Sequence, residues 1–185
     1  VYIAAGTAGL AILDVSNPAH PTIAGTVDTP GDSRDVAVTD GRAFVADTAG
    51  VQVIDVGNPR APKIIGSANS LYDAVTVSAA GHYIYVGNSM GSGVASNSAG
   101  DLGDQLGDGV LQVIDVSDAA NPTPVGMLEL QGYAQKLVQS GNYAYIAQGV
   151  SGMQIVDISN PRAPAMIESA GDVQFNPDFR YSKYR

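Results

Sequence analysis

The sequence predicts an all-β protein, and three observations lead to that prediction. An apolar segment that ends in an aspartate and a proline-containing turn occurs four times, as LAILDVSNPAHP, VQVIDVGNPRAP, LQVIDVSDAANP and MQIVDISNPRAP. Glycine (22 residues) and proline (10 residues) are frequent, as in chains with many tight turns. Of the 18 acidic residues only Glu129 and Glu168 are glutamates, and aspartate favours turns whereas glutamate favours helices. Short strands joined by tight turns are therefore expected.

The four segments recur at an almost constant spacing. Their aspartates are 41, 60 and 42 residues apart and stand at Asp14, Asp55, Asp115 and Asp157. The long interval is an ordinary one with about 18 extra residues, which we place within 88–109. The chain is thus divided into four repeats, approximately 1–29, 33–69, 72–131 and 133–170, with an insert at 88–109 and a tail at 172–185.

Each repeat divides into four short strands, and the second repeat shows the pattern. An alternating strand at 35–39 is followed by an Asp-Gly hairpin turn and a return strand at 42–47. A third strand at 51–56 and a fourth at 62–68 complete the unit. Four antiparallel strands in about 42 residues is the size of a β-propeller blade. We therefore predict a β-propeller of four-stranded antiparallel blades, in which residues 1–185 are one domain or a segment of one.

The turn after each repeated aspartate reverses the chain between the third and fourth strands. A proline stands seven residues after every aspartate, where an edge strand tolerates it at its first position. Asx-turn residues precede it, and a carboxylate at the start of such a turn can accept backbone N–H groups. We therefore assign a structural role in the turns to Asp14, Asp55, Asp115 and Asp157.

The repeat cores also carry a family resemblance. LAILDVSNP, VQVIDVGNP, LQVIDVSDA and MQIVDISNP resemble the core of the LVIVD-repeat family, over nearly the whole chain apart from the insert and the tail. One departure is Ala119, where the other three repeats have proline. The resemblance implies a β-propeller of bacteria or archaea that is extracellular, periplasmic or on the cell surface. It brings no catalytic residues with it.

The first repeat lacks its first strand, and the tail contains a segment with the matching phase. PDFRYS at 177–182 falls where RDVAVT falls in the second repeat. This segment could close a four-bladed ring, begin the next blade of a longer propeller, or pair with a second copy of the chain through unpaired blade edges. We favour a longer propeller, because a natural end rarely falls in the middle of an apolar strand.

The charge and composition exclude several classes of function. A formal net charge of −9 with only nine lysines and arginines gives no surface suited to nucleic acid or to an anionic membrane. The chain has no cysteine, which excludes disulfides and thiolate chemistry. No apolar segment approaches the roughly 20 residues that a transmembrane helix needs. The partner that we expect is a protein or a glycan.

Two groups of aspartates are candidates for a site. Asp101, Asp104 and Asp108 in the insert could gather around Ca²⁺, which prefers several oxygen ligands, although their spacing is not that of an EF-hand and a solvated glycine-rich loop is the favoured alternative. Asp35 and Asp73 stand near the first strands, where they could line the end of a central channel. An acid–base pair there would require a suitable separation, so a role in turns or strand ends is favoured.

Two functions remain open from the sequence. The first is a non-catalytic, exported or cell-surface interaction scaffold that presents loops on rigid blades. The alternative is a ligand-binding, Ca²⁺-binding or enzymatic propeller whose pocket is completed by further blades. Propellers serve both kinds of role, so the fold alone does not decide between them.

Overall fold

The computed structural model describes residues 1–70, 72–89 and 109–167 as short antiparallel strands joined by tight turns, with a single 3₁₀ turn at Gly149–Ser151. The strands form four sheets, here called blades one to four in chain order. Blade one has β1 (Tyr2–Ala4), β2 (Leu10–Asp14) and β3 (Thr22–Val27). Blade two has β4 (Ser33–Thr39), β5 (Arg42–Asp47), β6 (Gly50–Asp55) and β7 (Lys63–Ala68). Blade three has β8 (Asp73–Ala80), β9 (Tyr83–Ser89), β10 (Gly109–Asp115) and β11 (Thr123–Leu130), and blade four has β12 (Lys136–Ser140), β13 (Tyr143–Ala147), β14 (Met153–Asp157) and β15 (Ala165–Met166).

Within each blade the strands are hydrogen-bonded in chain order, which is the meander that the repeat predicts. The hairpin turns between first and second strands contain Gly41, Gly81 and Gly141, all with positive φ, a conformation that glycine adopts without steric cost. The outer strand of every blade (β3, β7, β11 and β15) begins directly after the motif proline, as expected for proline at the entry of an edge strand. The predicted all-β fold with four-stranded antiparallel blades is confirmed.

Successive blades pack face to face through apolar side chains. Because side chains alternate between the two faces of a strand, each blade has one face toward the next blade and one toward the preceding blade. Phe44 and Val53 lie on the face of blade two that meets blade three. They are buried in one cluster with Ile84, Val86 and Ile114 of blade three. We call the side of a blade that meets the next blade its forward face, and the side that meets the preceding blade its backward face.

The same packing recurs at the other two junctions. On the forward face of blade one, Leu10 and Ile12 pack in one cluster with Val45 and Ile54 on the backward face of blade two. The forward face of blade three and the backward face of blade four form the third cluster, which includes Tyr85, Leu111, Val113, Leu137, Ile146 and Val156. The hydrophobic core is therefore a series of blade-to-blade layers.

A glycine in each outer strand allows the next blade to approach closely. β3, β7 and β11 each have a β-bulge beside a glycine, at Gly25, Gly66 and Gly126. A Cβ atom at these glycines would lie 2.4, 2.1 and 2.1 Å from the backbone oxygens of Pro59, Ala119 and Pro161, respectively. Those oxygens belong to the turn after the repeated aspartate of the following blade. The turn thus also packs one blade against the outer strand of its neighbour.

Candidate binding face and polar hub

The four repeated aspartates lie directly before the turns that lead into the outer strands. In each of them Oδ1 accepts the backbone N–H two residues later, at 2.9 Å in Asp14, Asp55 and Asp115 and at 2.8 Å in Asp157. Hydrogen bonds from the backbone and hydroxyl of the following serine lower the pKa of Asp14 and Asp157, and the hydroxyl and backbone of Ser117 lower the pKa of Asp115. The carboxylates of Asp14, Asp115 and Asp157 therefore support their turns in the charged form.

These lowered pKa values predict a loss of stability in acid. A carboxyl whose pKa is lower in the folded state contributes stability above its unfolded pKa, here 3.8, and that contribution disappears as the pH falls through the folded pKa. The triple variant Asp14→Asn/Asp115→Asn/Asp157→Asn keeps an acceptor oxygen but cannot titrate. We expect its urea-unfolding midpoint to fall less than that of the wild type below pH 3.8, and parallel curves would contradict this role.

The first strands of blades two, three and four meet around the propeller axis through polar side chains. Oδ2 of Asp35 accepts hydrogen bonds from Thr76 Oγ1 at 2.7 Å and from the N–H of Val77 at 3.0 Å. Lys136 Nζ lies 2.8 and 2.9 Å from the two carboxylate oxygens of Asp35. The N–H of Leu137 donates to Thr76 Oγ1 at 3.1 Å. We call Asp35, Thr76 and Lys136 the polar hub.

The three hub residues occupy the same position of the repeat. Each stands fourteen residues after the motif proline of the preceding repeat, although one is an acid, one an alcohol and one a base. Their carboxylate, hydroxyl and ammonium groups are therefore brought together by the symmetry of the blades. Because the bonds join three different blades, the hub fixes the relative positions of the inner strands.

A second ion pair connects the hub to the base of the insert. Arg34 Nη2 lies 3.2 Å from Asp73 Oδ2. Asp73 is paired across the sheet with Ser89, and Ser89 is paired with Gly109, so the insert leaves blade three beside Asp73. Tyr72, next to Asp73, is 38% exposed. We call this end of the propeller the insert face; the repeated aspartates lie at the opposite ends of their strands.

The structure places the two aspartates predicted near the channel, Asp35 and Asp73, in separate ion pairs. Each carboxylate accepts hydrogen bonds from a cationic side chain, which holds it as a fixed acceptor. Among residues 1–70, 72–89 and 109–167, no group of three or more His, Asp or Glu side chains is arranged to hold a metal ion. Asp101, Asp104 and Asp108 lie outside the described residues, so the Ca²⁺ site stays a prediction.

Removing the acceptor of the hub is expected to destabilise the fold. In Asp35→Ala the buried Thr76 hydroxyl, the Val77 N–H and Lys136 lose their partner, and we expect a loss of about 2 kcal/mol in the free energy of unfolding. The Lys136 side chain is 59% exposed, so Lys136→Met is expected to cost less than about 1 kcal/mol. Urea denaturation measures both, and equal losses would contradict the assignment of Asp35 as the central acceptor.

A set of buried polar residues was not predicted from the sequence. Asp47, Asn88 and Gln148 stand at equivalent positions after or at the end of the second strand of blades two, three and four, and all three are buried. Asp47 Oδ2 accepts the N–H of Gly31 at 3.3 Å, Asn88 accepts a hydrogen bond from Ser70, and Gln148 donates to the Gly132 oxygen at 3.1 Å. Each bond holds the connection that enters the first strand of the same blade. The signal in the sequence is a polar residue twelve positions after each hub residue.

The chain belongs to the LVIVD-repeat family, whose repeat model matches residues 1–29, 30–70, 106–129 and 131–172. It matches no curated protein. Among solved structures it is similar to the computationally designed Ika4 protein, with a TM-score of 0.59 and 10% identity over 85% of this chain and 82% of that one. It is also similar to the designed Ika8 protein, with a TM-score of 0.59 and 10% identity over 86% of this chain but only 42% of that one.

These similarities support the propeller architecture, since likeness at 10% identity concerns the fold alone. Within the part of the chain that the structure describes, no helix is long and apolar enough to cross a membrane.

Proposed function

We propose that the protein is a non-catalytic, exported or cell-surface interaction scaffold that binds a partner protein with its insert face. The observation that carries the proposal is the position of the insert. It leaves blade three beside Asp73, at the end of the blades where Arg34 and the polar hub lie. Loops on a rigid scaffold are the usual location of binding residues.

The chemistry of the insert face suits a protein partner. Arg34 and Asp73 are each 38% exposed at the side chain, so their ion pair is accessible, and Tyr72 beside them is exposed. Tyrosine and arginine are enriched in protein interfaces, where they combine apolar area with hydrogen bonds. The paired charges limit the desolvation cost of covering this surface, because each carboxylate keeps its cation. A glycan would use the same polar groups and is the second candidate partner.

The ion pairs of the two candidate acids favour the scaffold function over an enzymatic one. Asp35 and Asp73 are engaged by Lys136 and Arg34. A general acid or base has to reach the substrate with its carboxylate oxygens, and here those oxygens already accept hydrogen bonds from Lys136 and Arg34. The rival function, a Ca²⁺-binding or catalytic propeller, depends on the insert or on further blades. Calorimetric titration of the chain with Ca²⁺ tests the insert directly.

The experiment that tests the scaffold function removes the insert. A variant in which a short Gly-Asn-Gly turn replaces residues 90–108 keeps the pairing of Ser89 with Gly109. The wild type and this variant are immobilised and incubated with surface and periplasmic fractions of the source cells, and bound proteins are then cross-linked. Both proteins are also applied to a glycan array. We expect a specific protein to be recovered by the wild type and lost in the variant.

A matched control alters the opposite end of the propeller. The double variant Asn58→Ser/Arg60→Ser changes an exposed turn there and should retain the partner. Loss of the partner in both variants, or its retention in the insert variant, contradicts the proposal. Binding to the glycan array alone identifies a glycan as the ligand and rejects the protein partner.

A further inference from the structure

The forward face of blade four is apolar and exposed. Its residues are equivalent to those that blades two and three bury against the next blade: Met153 corresponds to Val51, which is fully buried, but is itself 55% exposed. Val138 and Tyr143 on the same face are 55% and 42% exposed. The described residues after blade four end at Ile167 and none of them covers this face.

The backward face of blade one is exposed in the same way. Ile3 corresponds to Val45 of blade two, which has no exposed surface, yet Ile3 is 42% exposed. Val1, Val15 and Ile23 lie on the same face and are also exposed. Large apolar side chains grouped on one face mark an interaction surface.

We propose that the forward face of blade four binds the backward face of blade one in a second copy of this chain. The two faces are the two halves of the junction that the fold already forms three times, between blades one and two, two and three, and three and four. The contact would therefore continue the established stacking of blades. Among the described residues neither face covers the other within one copy, so both are exposed and can meet the faces of a second copy.

This contact joins unlike faces and so forms a head-to-tail assembly. Each copy offers one forward face and one backward face, and such heterologous contacts close into a ring when the rotation between copies permits. The junction depends only on described residues of blades one and four. It adds a self-association surface to the proposed scaffold and is separate from the insert face, because the blade faces and the ends of the blades are different surfaces.

Two single variants and their mixture test the proposal. Met153→Lys places a charge on the forward face of blade four, and Ile3→Lys does so on the backward face of blade one. Light scattering after size exclusion, at concentrations up to about 0.1 mM where a junction of micromolar Kd is mostly formed, gives the mass. We expect the wild type to exceed the mass of 18.9 kDa of one chain, and each variant alone to associate about a hundredfold more weakly.

The mixture distinguishes unlike from like faces. Met153→Lys retains an intact backward face and Ile3→Lys an intact forward face, so the two variants together should form a complex with one chain of each. Met127→Lys is the matched control, since Met127 is 53% exposed on an outer strand away from both faces and should associate like the wild type. Circular dichroism confirms that each variant is folded. A monomeric wild type, an unchanged mass in both variants, or a mixture that stays monomeric overturns the proposal.

Discussion

Replacing Gly66 with alanine is expected to lower the free energy of unfolding by about 3 kcal/mol, because the added Cβ cannot be accommodated without moving a blade. The Cβ would lie 2.1 Å from the backbone oxygen of Ala119 and 3.1 Å from the Cα atom of Ala120. These are backbone atoms of the turn in blade three, which cannot rotate away as a side chain would. Either β7 or the whole turn has to shift, and the apolar layer between blades two and three opens with it.

Gly57→Ser is the matched control for this substitution. Gly57 follows the repeated aspartate of the second repeat, and the other three repeats have serine at the same position, at Ser16, Ser117 and Ser159. The only close neighbour of an added Cβ there is a side-chain atom, Asp55 Oδ1, at 3.2 Å. We expect a change within about 0.5 kcal/mol. If urea denaturation gives Gly66→Ala the stability of the wild type, the close packing of blade three on β7 is wrong.

The strands could be predicted from the sequence because local chemistry determines where they begin and end. Proline cannot lie inside a central strand, so the motif prolines mark the entry to the outer strands, which begin at Thr22, Lys63, Thr123 and Ala165. Alternating apolar residues and an Asp-Gly turn gave β4 and β5 to within two residues. These signals act over a few residues and need no knowledge of the neighbouring blade.

The polar hub could not be predicted in the same way. Asp35, Thr76 and Lys136 share a repeat position but not a side-chain type, so a search for one repeated residue does not find them. Their significance arises only when three blades bring them together. Asp35 and Asp73 were identified as candidates near the axis, but their cationic partners, Lys136 and Arg34, were not. A bond between residues 101 positions apart in the chain leaves no local trace.

Burial of a blade face is also invisible in the sequence. Val51 and Met153 occupy the same place in similar apolar segments, yet Val51 is buried and Met153 is exposed, because among the described residues only Val51 lies against a following blade. One position does distinguish the fourth repeat: it has Glu168 where the others have Gly25, Gly66 and Gly126. Glu168, the residues 90–108 of the insert and the tail 172–185 lie outside the described residues, so the predictions about the tail stay predictions.

Phe44→Ala is expected to lower the free energy of unfolding by about 4 kcal/mol, within the range for removing a buried aromatic ring from a core. Phe44 is 1% exposed and lies in the layer between blades two and three with Val53, Ile84 and Val86. Alanine at this position leaves a cavity that both blades line. Since blades two and three are held together by this layer, the loss falls on the junction that maintains the propeller.

Tyr145→Ala shows whether the loss arises between blades or within one. Tyr145 occupies in blade four the position that Phe44 occupies in blade two. Each residue is paired with the first and third strands of its own sheet, and the partners of Tyr145 are Val138 and Ile155. The side chain of Tyr145 is only partly buried, because it lies on the forward face of blade four. At a dilution that keeps the chain monomeric we expect Tyr145→Ala to cost less than about 1.5 kcal/mol, since little burial is lost. Equal losses for the two variants in chemical denaturation would mean that pairing within each sheet, and not the stacking of blades, stabilises the propeller.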